Sequence, residues 1–181
     1  MQPATVPPVN KRLCRGGATL ASVTAVFLVV GNAAMWLVPQ WTEDAARNAS
    51  FLWTQQIFIT PFVRWAGLGV TTLHLCVLVW GLLSMRVLFK FLAAGEAFVA
   101  DTGVLLRRFG IALLVYAGLA PVVRSVIAPL VTHDPARHEL IVSFGIRGEE
   151  IVVALIGALI LVFGSVMADA KRIADENREI I

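Results

Sequence analysis

The sequence predicts an all-α membrane protein, four transmembrane helices in a bundle, with a short β segment on the extracytoplasmic side. Three observations carry that prediction. Residues 16–42, 65–85 and 151–168 contain no Asp, Glu, Lys or Arg, and the only charge in residues 109–132 is Arg124. Each run is near or above the roughly 20 residues that cross a hydrocarbon core about 30 Å thick. The composition, 58% hydrophobic against 15% charged, is too apolar for a water-soluble domain of 181 residues. The third observation is where the basic residues fall.

With the N-terminus in the cytoplasm, Lys11, Arg12, Arg15, Arg86, Lys90, Arg107, Arg108, Lys171, Arg172 and Arg178 lie inside. Outside lie only Arg47, Arg64, Arg137 and Arg147, while the acidic residues divide evenly between the two sides. A bias of ten to four over short loops orients the chain with both termini cytoplasmic. The first run is too long for the apolar core of a signal peptide, about 7 to 15 residues, and reads as a retained span.

Taken in order, residues 1–15 are expected to form a disordered cytoplasmic lead, and 16–181 a single domain with spans at about 16–40, 65–88, 109–132 and 150–168. The first outer loop, 41–64, carries a turn or two of helix at 43–50 and strand-like β-branched and aromatic residues at 56–63, broken by Pro61. Trp36, Trp41, Trp53 and Trp65 surround it and read as headgroup-level anchors. In the second outer loop, 133–149, Leu140, Val142, Phe144 and Ile146 alternate with Ile141, Ser143 and Gly145. That period of two predicts an extended segment at 138–147, paired with 56–63 because a lone strand leaves its backbone unsatisfied.

The cytoplasmic loop, 89–108, has Gly95 to stop one helix and Asp101 or Thr102 to cap the next. Span three is therefore expected to begin as an interfacial helix near Thr102, with Arg107 and Arg108 at the phosphate level. The motifs Gly95-Glu96-Ala97-Phe98, Asp101-Thr102 and Leu106-Arg107-Arg108-Phe109-Gly110 resemble the inner loop of the bacterial four-span membrane family catalogued as domain of unknown function 2975. The outer segment before span four and the closing residues Ala174-Asp175-Glu176-Asn177 and Ile180-Ile181 fit as well. Thr102 stands where the family often has Asn, and Gly103 where it usually has a better helix former. The resemblance implies four spans in a bacterial inner membrane and genes often neighboured by small helix-turn-helix regulators; it implies no activity.

Three polar residues interrupt the spans. A charge at the bilayer centre costs about 2.5–3.5 kcal/mol or more, but Arg124 lies only about 7 Å below the outer boundary by residue count. It is read either as an anchor, or ion-paired with Glu149, Glu150 or Asp44, or as an anion or ligand site. Asn32 at similar depth and His74 near the midplane are expected to hydrogen-bond between helices for about 1 kcal/mol each. A proton relay through His74 would need a carboxylate that no span supplies. Gly157 and Gly164, seven residues apart with Ala154 and Ala158 nearby, mark a packing face on span four.

The tail, 169–181, sets Met167, Ile173 and Ile180 on one helical face. It is either span four projecting into water over the inner loop, or a dock for a partner. The sequence contains no nucleophile elbow, no metal-ligand spacing and no paired carboxylates in a catalytic motif, so no enzyme is expected and no cofactor. The expected function is a regulatory membrane protein that meets anionic lipid headgroups and docks a cytoplasmic partner, such as a small helix-turn-helix transcription factor. It would do so through Arg86, Lys90, Arg107, Arg108, Lys171, Arg172, Ile173 and Ile180, without touching nucleic acid itself; a homo-oligomer is allowed but not specified. The alternative is a small transporter or channel component using Arg124, Asn32 and His74, which a water-filled cavity joining the three would favour.

Overall fold

A computed structural model describes residues 11–50, 57–94, 102–133 and 144–179. Five helices account for nearly all of them: α1 Lys11–Leu37, α2 Pro39–Ser50, α3 Pro61–Ala94, α4 Thr102–Thr132 and α5 Gly148–Glu179. All but α2 are long and apolar enough to cross a membrane.

The helix boundaries follow from local chemistry. Pro39 disfavours a helical Val38, so α1 stops at Leu37 and the chain bends. Proline also has no amide for the carbonyl of Met35, four residues earlier; the Thr42 hydroxyl takes that place, donating to Met35 O at 2.7 Å and to Val38 O at 3.1 Å. The start of α3 is a Thr-Pro cap. Thr60 accepts the Val63 amide on its hydroxyl at 3.3 Å, and Pro61 takes the first helical position, where a missing N–H costs nothing. At the start of α5, the Glu150 carboxylate reaches back to the Arg147 amide at 3.0 Å, half of a capping box.

Glycines set how closely the helices approach. A Cβ on Gly110 would lie 2.7 Å from Leu161 N and 2.8 Å from Gly157 O, and one on Gly103 would lie 2.8 Å from Gly164 O and from Ala168 N. Gly103 and Gly110 of α4 therefore interlock with Gly164 and Gly157 of α5, running antiparallel, backbone against backbone. The packing face expected around Gly157 and Gly164 is thus filled, and the weak helix former Gly103 has a structural reason. On its other side α4 meets α3, where a Cβ on Gly81 would lie 2.6 Å from that of Ala112. The α1–α3 seam is closed by Trp36, whose ring occupies the space a Gly67 Cβ would need, 2.0 Å from its nearest carbon.

Among the described residues, α1 packs on α3, α3 on α4 and α4 on α5, with no backbone contact between α1 and α5. Within the four-helix arrangement expected, the long helices follow one another as an open row. A lipid environment would supply no hydrophobic force to draw the two ends of such a row together, leaving close packing at the small-residue seams and hydrogen bonds between helices to decide which helices touch. The amphipathic α2 lies across one end and touches α1 and α4. There Trp36, Ala46, Val63, Ile127, Ala128 and Val131 form the buried core. Outward faces are apolar, with Phe27, Leu73 and Leu155 exposed.

Several expectations need correction. Helix begins at Lys11, so residues 11–15 are ordered; residues 1–10 lie outside those described. Residues 61–63 are helical, not strand, because the Thr-Pro cap starts α3 there. Among the described residues there is no strand. Phe58 N–H donates to Val131 O at 2.9 Å, satisfying a carbonyl that the end of α4 leaves open. Of the segment expected to be extended, 144–147 is irregular, Gly145 O being occupied by Arg124, and 138–143 lies outside the described residues. Trp41 and Trp65 are exposed, whereas Trp36 is buried in the core and is no surface anchor; Trp53 lies outside the described residues.

Candidate functional site

At the α2 end lies a partly open cavity of about 240 Å³ whose lining draws on all five helices. Its walls are mainly apolar, including Trp36, Ala46, Val123 and Ile127. Arg124 and Glu150, both under a tenth exposed, are ion-paired on one side of it. Arg124 uses one terminal nitrogen on Glu150 and the other on Gly145 O, so a single side chain of α4 ties down both the approach to α5 and its first turn. Of the readings open for Arg124, this is the ion pair, with Glu150 as the partner. Beside it, Arg147 pairs with the exposed Glu149 at 3.3 Å.

His74 of α3 and Tyr116 of α4 form the deepest part of the lining. Their rings stack with centroids 4.2 Å apart and planes 5° from parallel. Nε2 of His74 lies 2.8 Å from Tyr116 O. A carbonyl only accepts, so the proton is on Nε2 and His74 donates across the helix pair. Trp36 Nε1–H donates to the Thr71 hydroxyl at 2.9 Å, which in turn donates to Gly67 O at 2.8 Å.

Asn32 stands apart. Its amide donates to the Thr72 hydroxyl at 2.9 Å, joining α1 to α3, and it does not line the cavity. The cavity thus joins His74 and Arg124 but leaves Asn32 out. Tyr116, Thr71 and the capping role of Glu150 were not expected from the sequence. A capping-box signature was present only in part, because Arg147 stands where Ser or Thr normally would.

The other candidate residues gather at the opposite end. Here the long helices run past their uncharged cores: α3 continues from Arg86 to Ala94, α4 begins at Thr102, and α5 continues from Asp169 to Glu179. Lys90, Arg107, Arg108 and Arg172 are exposed, Arg86 and Lys171 partly buried. The Arg107 stem lies against Gly164, its Cγ 2.9 Å from where a Cβ would stand, so Arg107 is carried on the α4–α5 seam. Arg172 Nε meets Glu176 at 3.7 Å across one turn. Met167 and Ile173 are about half exposed, so among the described residues the apolar side of the tail is not fully covered; Ile180 and residues 95–101 of the inner loop lie outside them.

By helix length and apolarity, the fold is that of a multi-pass helical membrane protein with a cavity at one end and a basic, projecting face at the other. Compared with protein-family models, with curated proteins and with solved structures, the chain matches none.

Proposed function

We propose that the chain is a non-enzymatic, regulatory protein of the bacterial inner membrane, with both termini cytoplasmic, that docks a cytosolic partner on its basic face. The observation that carries this is the projection of α3, α4 and α5 beyond their uncharged cores at the end where the basic residues collect. Eleven residues of α5 follow Ala168, about 16 Å of helix at the usual rise, with Ile173 exposed in a chain of charged neighbours. Anionic headgroups would meet Arg107 and Arg108, each worth about 1 kcal/mol near the surface. A small helix-turn-helix regulator as partner rests on the resemblance of the inner loop to the four-span family.

The second reading, transport or conduction, is favoured by the cavity that joins His74 to Arg124. Against it, the described lining ends at His74 and Tyr116 and includes nothing from the basic half, which supports a pocket over a path. The test is copurification in mild detergent with the intact chain and with one cut after Ala168. Docking on the tail predicts a cytosolic protein held by the first and lost from the second. Equal retention by both would remove the tail from the proposal.

A further inference from the structure

We infer that the cavity at the α2 end is a binding site for a small, net-neutral amphiphile with a flat apolar body and one hydrogen-bonding head. This does not rest on the docking reading, which concerns the other end of the molecule.

Size comes first. A cavity of about 150 Å³ lined by apolar side chains takes up benzene, so about 240 Å³ has room for a fused two-ring body of about a dozen non-hydrogen atoms. The lining suits such a body: Met35, Trp36, Ala46, Val123 and Ile127 are apolar, and the stacked pair of His74 and Tyr116 adds aromatic surface.

Charge decides the class. Two cations and two anions line the cavity, and they are already matched: Arg124 with Glu150, Arg147 with Glu149. A ligand of net charge would leave one of these, or itself, uncompensated beside the buried Arg124–Glu150 pair, whereas a neutral ligand disturbs neither pair. Hydrogen-bonding capacity decides the head. Among the described residues the Trp36, Thr42 and Thr71 donors are committed elsewhere. Tyr116 also lines the cavity, and its hydroxyl can both donate and accept. A hydroxyl or ring N–H on the ligand would match it.

The test titrates the full chain in detergent micelles with β-naphthol by calorimetry, subtracting partition into micelles alone, and repeats it with β-naphthoate and β-naphthylmethylammonium. Saturable binding of β-naphthol is expected, with both charged analogues at least about tenfold weaker, the factor that 1.4 kcal/mol represents. Ala120→Phe, which places a ring in the cavity and removes no hydrogen bond, should abolish binding while the chain elutes and unfolds as before. Ala45→Phe intrudes from α2 and serves if the first variant does not fold. Tyr116→Phe should weaken β-naphthol by up to about tenfold, the worth of one hydrogen bond. Absence of saturable binding overturns the inference, as does β-naphthoate binding as tightly as β-naphthol or unaltered binding in the filled-cavity variants.

Discussion

Glu150 serves two partners at once: it neutralises Arg124 of α4 and accepts the Arg147 amide that opens its own helix. Removing it would therefore strand a buried guanidinium and uncap α5 together. Glu150→Ala is expected to destabilise the fold by about 3–5 kcal/mol, the usual result of breaking a buried pair. Arg124→Leu combined with Glu150→Leu should recover most of that loss, since a buried pair and its apolar replacement are often near equal. Unfolding titrations of the single and double variants provide the check; losses that simply add would show that the two residues are not coupled.

The α4–α5 seam makes a contrasting prediction for two alanines on one helix. At Gly110 a methyl would meet the α5 backbone at 2.7 Å, whereas at Gly118 nothing lies within 4 Å. Gly110→Ala should cost about 1–3 kcal/mol by forcing the helices apart. Gly118→Ala should be neutral or stabilising by up to about 1 kcal/mol, from helix propensity alone. Thermal unfolding of both in the same detergent separates the two outcomes.

A third prediction concerns Trp36 and Gly67. Gly67→Ala places a methyl where the indole sits and should destabilise the α1–α3 seam by about 1–3 kcal/mol. A smaller residue at Trp36 makes room, so Gly67→Ala with Trp36→Leu should lose less than the two single losses added together. Strict additivity in a double-mutant cycle would mean that the ring moves aside freely.

Much of the fold was legible because the physics is local. Uncharged runs marked the four long helices, and the glycine pair at 157 and 164 announced a packing face. Thr60-Pro61 was equally readable as a helix start, yet the β-branched residues around it suggested a strand; capping chemistry outweighed propensity. The open row was not legible, since glycine spacing shows that a face is close-packed but not against which helix. The candidate site was half legible. Arg124 advertises itself as a lone charge, and Glu150 was among its expected partners. Tyr116 and Thr71 give no such signal: on apolar helices they look like ordinary core residues until the topology brings them beside His74 and Trp36.

The proposed threading puts four spans across the membrane, with α2 outside and the tail inside. It is tested most directly in intact cells, with Cys14→Ser and Cys76→Ser as background and single cysteines at Asp44 on α2 and Ala170 on the α5 extension, both exposed positions. A membrane-impermeant maleimide is expected to label Asp44→Cys at once and Ala170→Cys only after the membrane is opened. Labelling of Ala170→Cys in intact cells, with Asp44→Cys protected, would contradict it.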